Sequence, residues 1–158
     1  MALVPSALAA GLESSWLVPE GGQHPSSPAQ SGDAFAAAVS SWFGAATAGP
    51  FPCATAAARR AQLASAATAA IQAGDPSLAA TQLALGLMGY MAGQVFGPGV
   101  ASPPTAMGAA QSAIAAVFSD LEAANGARAN RIATGVHAMA ASTIVVFPPV
   151  VSPPTPVT

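Results

Sequence analysis

Residues 75–99 read DPSLAATQLALGLMGYMAGQVFGPG, and this stretch decides the fold. Its opening pair, Asp75-Pro76, is a helix start. The carboxylate can accept from a first-turn amide, and proline suits a position whose N–H has no helical partner anyway. An apolar helical run follows to about Phe96 and is closed by Gly97-Pro98-Gly99. Within it Gly86, Gly89 and Gly93 lie close to one face. An interior glycine costs about 0.5–1 kcal/mol relative to alanine, so three imply that something packs tightly on that stripe. The tight neighbour is another helix, in the same chain or in a second copy, or else a lipid-embedded helix using small-residue packing. Ser77 to Gly97 is long enough to span a bilayer, and no charge stands between Pro76 and Ser119. Gln82 and Gln94 inside the run, and the lack of a flanking basic cluster, favour burial in protein.

Outward from this run, Ala-rich segments alternate with Pro/Gly breaks. On the N-terminal side, Pro5 to Val18 reads as a short amphipathic helix with Leu8, Leu12 and Trp16 on one face. A Gly/Pro/Ser linker is expected over 19–32. Asp33 is then an N-cap for a helix from Ala34 to Ala46, with Phe35, Val39, Trp42 and Phe43 as its apolar face. Gly49-Pro50 ends it, and a third helix is expected from Thr55 to Ala73 before Gly74.

On the C-terminal side, Val100 to Pro104 is a connector and Thr105 caps a fifth helix to Ala124, with Ile114, Val117, Phe118 and Leu121 inward. Asn125-Gly126 reads as a turn, and a sixth helix spans Ala127 to Ala141, burying Ile132, Val136, Met139 and Ala140. Thr143 to Phe147 is β-branched and short, as a strand would be. The prolines that follow, Pro148-Pro149, Pro153-Pro154 and Pro156, favour an extended tail. No short motif recurs at a fixed period, so no repeat architecture is expected.

Composition bounds the function. The 158 residues include 42 alanines, four arginines and no lysine, and only 6% are charged, against about 25% in ordinary soluble domains. A chain so poor in charge is either poorly soluble alone or has most of its surface covered by neighbours or lipid. Four arginines and a net charge of −2 give no basis for nucleic-acid binding. The single cysteine, Cys53, cannot form an internal disulfide or a thiolate metal cage. With the first positive charge at Arg59, there is no basic leader region, and a secretory signal peptide is not expected.

Chemistry-bearing residues are scattered. His24 sits in the linker and His137 on a helix beside Val136 and Met139, neither with a partner at metal-ligand spacing. Asp120 and Glu122 point in different directions on a helix, and either can pair with Arg128 or Arg131. No phosphate loop, dinucleotide fingerprint or nucleophile elbow is present. No catalytic, cofactor or metal site is therefore assigned, and the chain is not read as an enzyme. The interface candidates are Gly86, Gly89, Gly93, Trp16, Trp42, Ile144, Val145, Val146 and Phe147.

An Ala-rich helical body ending in Arg131-Ile132-Ala133-Thr134-Gly135-Val136-His137, then a Thr/Val strand and a Pro/Val/Thr tail, resembles small accessory virion proteins of tailed phages and related contractile particles. The resemblance implies a neck, tail, baseplate or capsid-accessory subunit held by copies of itself and by other virion proteins. It implies residence in the assembled particle, and in the cytoplasm before assembly. A small membrane-embedded helical protein of holin type is the alternative. The expected fold is all-α, a bundle of five to six short helices. Its expected layout is an N-terminal helix over 1–18, the linker, a helical body over 33–141 and an extended arm over 142–158 that lies on a neighbouring subunit.

Overall fold

The computed structural model describes residues 3–18, 21–120, 122–149, 151 and 153–158. Among these residues helix dominates, as expected, but the fold is not purely α. Six helices are joined by two small antiparallel sheets. The helices are α1 (Pro5–Ser15), α2 (Pro28–Phe43), α3 (Arg60–Gln72), α4 (Pro76–Met91), α5 (Met107–Ser119) and α6 (Asn125–Ala141). The strands are β1 (Thr47–Ala48), β2 (Phe51–Pro52), β3 (Val95–Phe96), β4 (Gly99–Ala101), β5 (Ile144–Val146) and β6 (Thr155–Pro156).

Local chemistry explains where the helix bounds differ from the sequence reading. The α4 start is as read, with the Leu78 amide donating to Asp75 Oδ1 at 2.8 Å. The α2 start is not. Ser27 is the cap, accepting from the Gln30 amide at 3.2 Å, and Pro28 takes the first turn. Asp33 instead lies inside α2 and pairs with Arg60 of α3 at 2.7 Å. For α5, Thr105 is not the cap; the Thr105 and Ala106 amides donate to Ser142 Oγ, which arrives from the end of α6. Asn125 and Gly126 are not a turn but the first residues of α6, where the Asn125 side-chain amide donates to the Val18 carbonyl at 2.7 Å. Leu121, expected on the inner face of the fifth helix, lies outside the described residues.

The two Gly-Pro pairs were expected only to end helices, but each turns a hairpin. Gly49-Pro50 joins β1 to β2 and Gly97-Pro98 joins β3 to β4, with Ala48 opposite Phe51 and Phe96 opposite Gly99. Gly49 and Gly97 have φ of +59° and +57°, the left-handed setting that a two-residue hairpin loop needs at its first position. The fourth helix accordingly stops at Met91, and Val95-Phe96 is strand.

The order of elements is the same three times over: helix, helix, hairpin. Equivalent positions recur roughly 48 residues apart, so the chain is an internal triplicate, contrary to the expectation of no repeat. The hydrogen bonds repeat with it. Within the hairpins the amides of Cys53, Ala101 and Val157 donate to the carbonyls of Ala46, Gln94 and Thr143. Between hairpins the amides of Ala54, Ser102 and Thr158 donate to Val95, Ile144 and Thr47 at 2.8, 2.8 and 2.9 Å. The two sheets, β1-β2 and β3-β4-β5-β6, thus meet at both edges, through the Cys53–Phe96 bridge and the Thr47–Thr158 pair. Backbone pairing runs in a closed circuit around six strands.

The helices close in the same way, each packing on its sequence neighbours, with α1 against α6 completing the ring. Helices α2, α4 and α6 bury seven or eight residues each and α1, α3 and α5 three each, so the first set is the inner ring. Its equivalent positions are filled by Phe35, Leu83 and Ile132, by Val39, Leu87 and Val136, and by Phe43, Met91 and Ala140, all fully buried. Each large apolar side chain there contributes about 1.5–3 kcal/mol on burial.

Residues 142–158, expected as an arm on a neighbour, pair within the chain. Val145 faces Thr155 and Ile144 faces Pro156, and Val157 is buried. Residues 147–154 connect the two strands, and there the Val151 amide donates to the Pro148 carbonyl in a turn.

Each repeat also crosses its two helices at a pair of small residues: Gly11 on Ala38, Ala66 on Gly86, Ala113 on Gly135. A Cβ added at Gly86 would sit 2.5 Å from Ala66 Cβ, and one at Gly135 would sit 2.9 Å from Ala110 Cα. At Gly108, on α5, it would meet nothing. Gly86→Ala and Gly135→Ala should therefore each destabilise by about 1–3 kcal/mol through overpacking. Gly108→Ala should be neutral or stabilise by up to about 1 kcal/mol. Urea midpoints of the three variants measure this, and equal midpoints would mean that the crossings are loose.

Candidate functional site

The strand circuit puts alternate side chains on opposite faces. Phe96, Ala101, Val145, Phe147 and Val157 point inward and are buried. Val95, Val100, Ile144, Val146 and Pro156 point outward. Register sets Val95, Val100 and Val146 abreast across β3, β4 and β5, while Ile144 stands opposite Pro156 one step along. Val100 is 50% exposed, Val146 54% and Ile144 36%. No Asp, Glu, Lys or Arg occurs from Pro76 to Ser119 or from Ile132 to Thr158, so the segments forming this face carry none. The result is an apolar strand face with no charge of its own.

The symmetry sharpens the observation. The repeat-one equivalents of Val95 and Val100 are Thr47 and Pro52, so three valines abreast belong to one part of the circuit only. Packing of the fold does not demand this, since the positions face outward.

The interface candidates from sequence divide into several groups. Ile144 and Val146 are on the apolar face, whereas Val145 and Phe147 are buried behind it. Trp16 and Trp42 are core anchors and not surface side chains, each 7% exposed. Trp16 packs edge-on against Phe35 and donates its indole N–H to Ser31 Oγ at 2.7 Å, and Trp42 donates to the Val4 carbonyl at 3.0 Å. Gly86 and Gly89 face α3 of the same chain, toward Ala66 and Gln62. Gly93, with φ +79°, follows the α4 terminus beside Arg59, whose guanidinium donates to the Gly89 and Ala92 carbonyls. Val95, Val100 and Pro156 were missed. The signal that could have found them is Gly97-Pro98 read as a hairpin turn, which places Val95 and Val100 in register.

Several polar groups are engaged by the fold, although among the described residues the buried Gln82 Oε1 and Arg128 Nε have no hydrogen-bond partner. Gln94 is fully buried; its carbonyl accepts from Thr55 Oγ at 2.6 Å and its amide donates to the Tyr90 carbonyl at 2.9 Å. Tyr90 donates its hydroxyl to the Ala56 carbonyl at 3.0 Å. Arg131 pairs with Asp120 at 3.2 Å, and Arg128 donates to the Asp120 carbonyl at 2.7 Å. His137 bonds through Nε2 to the Leu3 carbonyl at 3.1 Å. Among the described residues no three of His, Cys, Asp and Glu come together as a metal site would need. Two clefts, about 530 Å³ between α1 and α2 and about 560 Å³ between α5 and α6, lie over equivalent small-residue crossings. They are grooves left by short side chains, and the first is lined by no titratable group.

Burial pushes the Cys53 thiol and the Tyr90 hydroxyl above their ordinary values, because each charged form loses its water. Both groups are thus held neutral in the folded state. The unfolded chain releases these protons first, so stability is full below about pH 9 and falls as pH rises through the alkaline range. With one cysteine, one tyrosine and no lysine, no other side chain ordinarily titrates there. Urea midpoints between pH 8 and 11 should decline for the unmodified chain and stay nearly flat for Cys53→Ala/Tyr90→Phe; equal slopes would refute the assignment. Comparison with family models, curated proteins and solved structures finds no match for the chain.

Proposed function

We propose that the chain is a non-enzymatic structural subunit that works by packing against copies of itself and other proteins of a larger assembly. The resemblance of its C-terminal third makes that assembly a phage-like particle, with the chain a neck, tail, baseplate or capsid accessory. The outward row of Val95, Val100 and Val146, extended by Ile144 and Pro156, carries the reading. A contiguous apolar surface on segments that carry no charge is a feature of interaction sites, not of surfaces left in water. Low charge overall supports the same reading. A membrane-embedded role has less to rest on, since no described helix is long and apolar enough to cross a membrane.

Val100 and Val146 are cross-strand partners, so Val100→Asp/Val146→Lys replaces the row with an opposite-charge pair that the sheet accommodates. The variant should keep the far-ultraviolet spectrum and lose less than about 1 kcal/mol of stability, while oligomers or particle incorporation fall sharply. Light scattering and copurification with particles measure this. A folded variant that assembles like the unmodified chain would sink the reading.

A further inference from the structure

The third hairpin differs from the other two in how it is closed. β1-β2 and β3-β4 each turn on two residues, Gly-Pro, whereas β5 and β6 are separated by residues 147–154. Pro148, Pro149, Pro153 and Pro154 lie in that connection. Proline fixes φ near −65° and pushes the residue before it toward extended backbone. The connection is thus built from residues that favour running straight, yet within one chain it must reverse direction so that β6 can lie antiparallel to β5.

What β6 contributes is local and modular. Its Val157 is buried, its amide donates to the Thr143 carbonyl at 3.0 Å, and Thr158 exchanges two backbone bonds with Thr47, both 2.9 Å. Beyond these bonds it pairs Thr155 with Val145 and Pro156 with Ile144. Among the described residues of this segment, Val157 is the one that joins the buried hydrophobic core. From these observations we infer that the slot between β5 and β1 is a strand-exchange site, occupied by residues 153–158 of a second copy when copies meet.

Exchange preserves every one of those contacts, because each slot is refilled by an identical strand. What changes is the connection, which no longer has to reverse. Concentration then selects between the closed monomer and the exchanged form. The other two hairpins turn on Gly-Pro alone and carry no such proline-rich connection. The inference deepens the packing reading above by naming the segment through which copies join.

Thr47 and Thr158 form a hydrogen-bonded antiparallel pair, whose Cα atoms lie about 5.5 Å apart, within disulfide range. Two full-length chains, both carrying Cys53→Ala, test exchange: one with Thr47→Cys, the other with Thr158→Cys. Alanine is safe at position 53 because the equivalent position of the second repeat is Ala101. Unfolded together, refolded concentrated and oxidised, they should give a disulfide-linked mixed dimer on a non-reducing gel, more of it at higher concentration. A chain carrying Thr47→Cys/Thr158→Cys in the Cys53→Ala background, refolded dilute, should close as a cross-linked monomer. No mixed dimer at any concentration, while the double variant closes, overturns exchange. Failure of the double variant to close overturns it too, since the strand would not lie on Thr47. If the unmodified chain is multimeric by light scattering in either case, the packing reading stands without exchange. If it is monomeric and does not copurify with particles, both fall.

Discussion

Close approach of helix backbones at three crossings sets the geometry of the rest. Gly11 on Ala38, Ala66 on Gly86 and Ala113 on Gly135 let each outer helix settle onto its inner partner with almost no side chain between them. The inner helices α2, α4 and α6 are thereby held as a ring, and each leads within a few residues into a strand: Phe43 into Thr47, Met91 into Val95, Ala141 into Ile144. Strands delivered in this way by three related helices are the strands that pair around the circuit. Larger residues at the crossings would push the helices apart and take the strand starts with them. The alanine content that looks like mere composition is, at these positions, what makes the architecture possible.

Polar groups at the ends of the inner helices are engaged by the same arrangement. The position where each inner helix gives way to its strand is Ala46, Gln94 or Thr143, all fully buried. Gln94 returns a side-chain hydrogen bond to the carbonyl of Tyr90, and Thr143 returns one to Met139, four residues back in each case. Orphan carbonyls at the helix end are thus covered from within the chain. Arg59 does the same for α4 from outside, through Gly89 and Ala92. A chain with four arginines and no lysine spends three of them on contacts near a helix end or a neighbouring loop: Arg59 here, and Arg128 and Arg131 on Asp120.

Helix number and most inward faces were legible because apolar spacing and the Asp75-Pro76 start are local signals. Leu8, Leu12, Phe35, Val39, Ile132 and Val136 are all buried on the faces that their spacing indicates. The hairpins were not legible in the same way, because Gly-Pro serves equally well to end a helix and to turn two strands, and two-residue strands carry too little pattern to decide. The repeat was hidden for a different reason. Equivalent positions share burial rather than residue type or size, as Phe43, Met91 and Ala140 illustrate. Of the candidate site, Ile144 and Val146 could be read from their β-branched run, but only pairing reveals that Val95 and Val100 stand beside Val146.

Closure of the strand circuit through Thr47 and Thr158 changes how the molecule can come apart. In an open array of repeats the end units have one neighbour each and fray first, so stability is a sum over positions along a line. Here the first and third repeats are neighbours, through α1 against α6 as well as through the strands. Each repeat therefore has two partners, and none can loosen without opening two interfaces together. The three units are bound to a common fate, and a chain assembled from weak, alanine-lined contacts gains from its circular connectivity a cooperativity that no single contact in it could supply.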